Sequence, residues 1–278
     1  VKISIPENGM YEITYDELRQ MGFNNPSQVR LYGHGGYRIS EILNGEAIDD
    51  LRPVPVKRVN NKLLFYGNGP IKFSMTGYNS TPRFTREMNP YSLEGCYFLT
   101  DQASTETQVA ILPTSSVNTF VNTPTSLNFF YHENEVVSIS GTGKDMLGED
   151  MTGAPLFVDY DMPDLADSTI VVNTVVSAAA TTLSYANAVL HSGEGHDTTV
   201  YTLPSSVIYV PGKYVYYNTA SPSAFLKLTH PAEHGQFEPI LSISGDDYSV
   251  SVARLDYFIL TYKRRNIIRE DMNNQMLM

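Results

Sequence analysis

The chain has 278 residues, 42% of them apolar and 18% charged, and a net charge of -11. Those proportions describe a globular protein able to bury a sizeable core, and they exclude a disordered or fibrous chain. The acidity is uneven: residues 1–129 carry 11 Lys and Arg against 12 Asp and Glu, residues 130–260 carry 4 against 16, and residues 261–278 carry 4 against 2. A surface of that sign repels phosphate backbones, so no nucleic-acid partner is expected. No apolar run reaches the roughly 18 residues of a membrane-spanning helix.

In chain order, VKISIPENGMYEITY alternates around Glu7-Asn8-Gly9. That pattern predicts a hairpin of Val1 to Ile5 with Met10 to Thr14, with Gly9 at positive φ. Thr14 is then placed to cap a helix, with Glu17 completing a capping box, and TYDELRQMGF makes a two-turn helix stopped by Gly22. VRLYG (29–33) resumes as a strand and runs into the turn GHGG. VPVKRVNNKLLFYG predicts a second hairpin, turning at Asn60-Asn61. Residues 1–106 therefore read as a small β-rich α+β domain.

From residue 107 the helix signals vanish. SLNFFYH, EVVSISG, STIVVNTVVSAAA, YANAVLH, AFLKLTH and PILSISG are short strand-like runs parted by Gly, Pro, Asn and Ser. Their spacing predicts an antiparallel, jelly-roll-like β-sandwich over residues 107–265. It closes on LDYFILTYKRR (255–265). One face of that run carries Asp256, Phe258, Leu260 and Tyr262, the other Tyr257, Ile259 and Thr261; apolar groups on both faces predict a strand inside a sheet. Lys263, Arg264 and Arg265 are expected where this strand passes to the next domain, with their replacement by Ala leaving the fold intact. Residues 266–278 read as a linker. The chain starts at Val1 without an initiator Met and stops without a capping signal, as expected of a piece of a longer protein.

The chemistry-bearing residues do not assemble into a site at this level. Cys96 is the one cysteine, so no intrachain disulfide forms, and GCYFLT places it in an apolar strand as a small hydrophobe. His230 and His234 in HPAEHG flank Glu233 at a zinc-like spacing, but Pro231 and Gly235 argue for a loop, and no third ligand is evident. His196-Asp197 reads as a loop tip. Asp159, Asp161 and Asp164, and separately Asp246-Asp247, are hard ligands for a structural calcium without EF-hand spacing. The glycines of GHGG and GNGP read as turns, not as a phosphate loop. Tyr214, Tyr216 and Tyr217 in KYVYYNT are the best local cluster for stacking a sugar, in residue types that strands also favour. No catalytic, metal or cofactor residue is assigned, and no cofactor beyond that calcium is expected.

Several stretches together resemble one family. VKISIPENGMYEITYDELRQMGF with PSQVRLYGHGG, DDLRPVPV followed by KLLFYGNGP, and NPYSLEGCYFLT cover the first hundred residues almost continuously; GKDMLGEDM and LDYFILTYKRR follow more thinly. In order and spacing they look like the region preceding the peptidase domain in type IX secretion sortases, the PorU-like, gingipain-related surface proteins of the Bacteroidota. The resemblance implies a non-catalytic N-terminal region serving as a structural and docking platform. It also implies surface localisation at the outer membrane. The implied partners are a downstream gingipain-like cysteine peptidase domain and outer-membrane secretion components. The chain itself is then no enzyme. An acidic, tyrosine-rich sandwich also fits a second reading, a cell-surface adhesion or carbohydrate-binding module.

Overall fold

The computed structural model describes residues 1–40, 42, 50–77, 81–102, 123–138, 146–179, 183–193, 199–203, 206–208, 218–243 and 252–267. The chain forms two compact units: Val1–Ser74 with Thr85–Thr119, and Met75–Phe84 with Phe120–Met278. The expected division at residue 106 lies outside the described residues.

The first unit contains β1 (Lys2–Ile5), β2 (Gly9–Thr14), α1 (Tyr15–Gln20), β3 (Arg30–Gly35), β4 (Lys57–Val59), β5 (Lys62–Gly67) and β8 (Gly95–Thr100). Between the last two, β6 (Ile71–Thr76) pairs with β7 (Arg83–Met88). Two three-stranded sheets, β1-β8-β3 and β2-β5-β4, bury Ile5, Ile13, Leu63, Phe65, Tyr97 and Leu99 in a common core with Leu18 of α1. The capping box forms as expected: the Thr14 side chain accepts from the Glu17 N–H at 3.2 Å, and the Thr14 N–H donates to Glu17 Oε2 at 2.7 Å. The Thr14 N–H, together with the Thr14 hydroxyl donating to the same Oε2 at 2.8 Å, holds the Glu17 carboxyl below its usual pKa. The Asn60-Asn61 turn also forms, with both residues at positive φ (49° and 59°), joining β4 to β5.

The first expected hairpin does not form. β1 pairs with β8 and β2 pairs with β5, so the two strands enter different sheets, and Gly9 is absent from the positive-φ glycines among the described residues. Glu7-Asn8 instead ties distant segments together: Asn8 Nδ2 donates to the Ile71 carbonyl at 2.7 Å, and Asn8 Oδ1 accepts from the Gly69 N–H at 2.8 Å.

The second unit contains β9 (Thr125–Glu133), β10 (Val137–Ser138), β11 (Met146–Leu147), β12 (Val158–Asp161), β13 (Leu165–Ala179), β14 (Ser184–Ser192), β15 (Thr199–Thr202), β16 (Ser206–Ile208), β17 (Asn218–Ala220), β18 (Ser223–Lys227), β19 (His234–Ile243) and β20 (Val252–Arg265). One sheet runs β12-β19-β14 and then β15 and β16; the other runs β9-β20-β13 and then β17 and β18. Counting β15 with β16 and β17 with β18 as single positions, and setting the short β10-β11 pair aside, the first and last strands are neighbours in one sheet and the second and seventh in the other. That interleaving is the jelly roll. The protein is mainly β, as expected, and its pairings are antiparallel.

Side chains from both sheets fill one core. Val158, Tyr160, Leu190 and Phe237 meet Ile170, Val172, Phe258 and Leu260. The Phe237 and Phe258 rings stack at 4.1 Å with no exposure, which contributes about 1 kcal/mol beyond their burial.

β20 sits inside its sheet, flanked by β13 and β9. Its faces differ from strict alternation. The ladder to β13 slips between Val175–Tyr257 and Val176–Leu255, a bulge that turns Asp256 out and puts Ala253 and Leu255 on the same core-facing side as Phe258, Leu260 and Tyr262. The opposite face is covered too: Ile259 and Thr261 are buried. There the Phe84 N–H donates to Thr261 Oγ1 at 3.1 Å, and its ring lies 4.4 Å from that of Phe129.

Candidate functional site

The basic end of β20 is an internal lock. Arg264 Nη2 and Nε donate to Asp164 Oδ2 at 3.1 and 3.3 Å, Lys263 Nζ lies 3.1 Å from Asp167, and Arg265 Nη2 lies 3.4 Å from Glu233. Asp164 is 3% exposed and holds φ at 59°, a conformation Asp tolerates better than most residues. Its carbonyl also accepts from the Arg265 N–H at 2.8 Å. These cations, expected where the strand passes to the next domain, pair with carboxylates of their own unit.

A cleft of about 640 Å³ opens beside β12. Register explains its chemistry. β12 and β14 both pair with β19, setting Asp159, Gln236 and His191 in one row and Asp161 opposite His234 in the next. In each strand these positions alternate with core residues, so their side chains face away from the core. Asp159 Oδ1 accepts from Gln236 Nε2 at 2.9 Å, His234 Nδ1 lies 3.2 Å from Asp161, and His191 Nε2 donates to Glu238 Oε2 at 2.7 Å. Phe157 leads into the row, 48% exposed, with its ring 5.8 Å from that of His191. Deeper in, Phe130 of β9 and Tyr160 complete the lining. Burial pushes the Tyr160 phenol up to about 12 while its hydroxyl donates to the His191 carbonyl at 3.3 Å.

The structure redistributes the other candidates. Asp159, Asp161 and Asp164 do not converge: the first two line the cleft and the third belongs to the Arg264 lock. His234 lies in β19 and not in the expected loop, while the His230 carbonyl accepts from Ser192 Oγ at 3.4 Å. Among the described residues no group of three or more His, Cys, Asp or Glu is arranged to hold a metal ion. His196-Asp197, Asp246-Asp247 and the Tyr214, Tyr216 and Tyr217 cluster lie outside the described residues. Cys96 is half-buried between Ser4 and Gly35 of the flanking strands, on the face of β8 opposite the buried Tyr97 and Leu99. His34 occupies the bulge of β3 next to it, where its Nε2 donates to the Asp50 carbonyl at 2.8 Å. Among the described residues no hydrogen bond joins the thiol to a histidine.

The glycines of GHGG and GNGP do more than turn the chain. A Cβ on Gly36 would lie 2.5 Å from the Gly69 carbonyl carbon and 2.8 Å from Gly95 Cα, and one on Gly69 would lie 2.6 Å from Glu7 Cα. Four segments cross here backbone against backbone. Gly36 N–H to Asn68 O (2.9 Å), Asn68 N–H to Tyr97 Oη (2.9 Å) and Asn89 Nδ2 to Gly36 O (2.8 Å) fasten the crossing.

No protein-family model matches this chain, and no curated protein does. Among solved structures it is similar to dimeric latent PorU from Porphyromonas gingivalis, with a TM-score of 0.73 and 22% identity over 100% of this chain. The fold is PorU-like. The chain spans 26% of that PorU chain, about a quarter. Weaker likenesses are to infectious bursal disease virus Gx strain (TM-score 0.30, 10% identity, 96% of this chain and 72% of that one) and to the stem and receptor-binding domain of spike protein P1 from bacteriophage PM2 (TM-score 0.26, 12% identity, 95% and 96%). Those scores fall short of a shared fold. Among the described residues no helix is long and apolar enough to cross a membrane.

Proposed function

We propose that this chain is the non-catalytic N-terminal region of a gingipain-related, type IX secretion sortase-like surface protein, acting as a structural and docking platform at the outer membrane. The observation that carries the reading is the PorU-like fold along the whole chain, joined to sequence motifs that resemble that family in order and spacing. The glycine crossing supports it as well. GHGG, GNGP and the Gly95 of NPYSLEGCYFLT are three of the resembling stretches, and they interlock in space, so a physical constraint accounts for their occurring together. In this reading proteolysis resides in a following gingipain-like domain. Nucleophilic cleavage needs a nucleophile, a base and an oxyanion site held together. The thiol and imidazole nearest each other in the sheet, Cys96 and His34, are not joined by a hydrogen bond.

Two measurements test this. Purified chain incubated with a broad peptide library is expected to give no turnover; turnover abolished by Cys96→Ser would overturn the non-catalytic reading. An antibody raised against the chain is expected to label intact cells of the source bacterium. Labelling that requires permeabilised cells would overturn the surface placement.

A further inference from the structure

We infer that the cleft beside β12 is a docking site for an extended peptide segment of alternating basic and apolar residues, taken up as an added strand on the β12 edge. The site belongs to this chain's second unit and stands whether or not a peptidase domain follows it.

Three independent observations converge on that occupant. The first is topological. β12 ends one sheet and β9 ends the other, and among the described residues neither has a strand on its outer side. The cleft reaches that edge, where Phe130 of β9 lines it together with Asp159, Tyr160 and Asp161 of β12, and it continues over the sheet along His234 and Gln236 of β19 and His191 of β14. A terminal strand offers a row of backbone N–H and C=O groups that an extended chain can pair with, and main-chain bonds then supply affinity whatever the incoming sequence.

The second observation is the two-sided character of the lining. A strand laid along β12 projects its side chains alternately to either face of the sheet. On the core side they meet Phe130 and Tyr160, which calls for apolar residues. On the outer side they meet Phe157, just before β12, and Asp159 and Asp161 within it, spaced two residues apart along the chain. That spacing matches every second residue of the incoming segment.

The third observation is charge. Among the described residues the cleft lining contains Asp159 and Asp161 and no Lys or Arg, in the half of the chain whose residues 130–260 carry 16 acidic against 4 basic residues. The side chains against these carboxylates are His234, 3.2 Å from Asp161, and Gln236, which donates to Asp159, while His191 pairs with Glu238. A basic side chain on the outer face of the incoming strand therefore meets complementary charge, and an exposed Phe157 ring offers a cation–π surface beside it. An acidic segment would be repelled.

The test uses the whole chain and three synthetic peptides of equal length: alternating Lys and Val, alternating Glu and Val, and the Lys-Val peptide N-methylated at every amide so that neither edge can donate a hydrogen bond. Fluorescence anisotropy is expected to show saturable binding of the Lys-Val peptide alone, with the Val158–Asp161 amides gaining hydrogen-exchange protection. Asp159→Lys with Asp161→Lys replaces two exposed side chains and should weaken binding at least about tenfold while leaving the melting temperature in place. Failure of the Lys-Val peptide to bind would overturn the inference. So would equal binding of the N-methylated peptide, which would mean attraction to charge alone, or binding unchanged by the double charge reversal. Saturable occupation of the cleft by a neutral oligosaccharide, without peptide binding, would also overturn it and assign the cleft to glycans.

Discussion

Asp164→Ala removes more than a carboxylate. Its Oδ2 takes two hydrogen bonds from Arg264, and its backbone sits in the left-handed region while its carbonyl holds the Arg265 N–H. Charge-assisted hydrogen bonds contribute about 1.5–3 kcal/mol. A fully buried pair broken at one partner costs about 3–5 kcal/mol, but the Arg264 side chain is 28% exposed and recovers part of its hydration, so the smaller cost of charge-assisted hydrogen bonds applies, about 2 kcal/mol. Alanine at positive φ adds about 1 kcal/mol of backbone cost. The sum is about 3 kcal/mol. Asp164→Gly removes the pair without the backbone cost, so it should lose about 2 kcal/mol, and Asp164→Asn, which keeps the turn and one acceptor, about 1–2 kcal/mol. Urea unfolding read by circular dichroism ranks the three variants. An Asp164→Ala protein within about 0.5 kcal/mol of the parent would refute the lock, and Gly costing more than Ala would refute the backbone argument.

Gly95→Ala would place a Cβ 2.8 Å from the Gly36 nitrogen and closer still to the Asn68 carbonyl, neither of which is a movable side-chain end, so a loss of about 2–4 kcal/mol is expected in the same assay. Gly9→Ala, whose nearest neighbour would be 3.9 Å away, should stay within about 0.5 kcal/mol; similar losses at both sites would refute the crossing as a constraint. Burial pushes the Tyr160 and Tyr262 phenols up to about 12, above the value of about 10 for an unfolded tyrosine. Because the folded value is the higher one, the stabilisation is complete below about pH 10 and is lost as pH rises from there to about 12. Stability measured against pH should fall over that window and fall less in Tyr262→Phe; phenolate absorbance showing every tyrosine titrating near 10 in the folded protein would count against it.

Local signals were legible in the sequence where the physics is local. Thr14 and Glu17 lie three residues apart and satisfy each other. Asn60-Asn61 supplies the two left-handed residues its turn requires. The doubly apolar β20 also announced an interior strand. What failed was pairing across distance: Glu7-Asn8-Gly9 carries the composition of a hairpin turn, yet Asn8 spends its side chain on Gly69 and Ile71, and β1 and β2 part company. The Asp256 bulge was hidden because one extra residue leaves no mark on alternation until the partner strand is known. The cleft was hidden for the same reason. Asp159, Gln236 and His191 become neighbours through two ladders, and no spacing along the chain encodes that register. The pairing at the basic end of β20 was hidden because its acidic partners lie back in the sequence, Asp164 a hundred residues earlier.

The strand order of the second unit makes its closure wait on its last segment. β9 pairs only with β20 among the described residues, and β20 is also the partner that runs the length of β13, so the middle of that sheet is missing until residues 252–265 have left the ribosome. Local contacts can form earlier, but the sheet cannot be completed piecemeal, and pairings of such long sequence separation form slowly. Once β20 is in place, the Asn266 N–H bonds the Pro124 carbonyl at 2.8 Å, so the point of entry and the point of exit are tied side by side. A unit built this way is decided at the end of its synthesis: a chain cut before Val252 leaves β9 an unpaired ribbon.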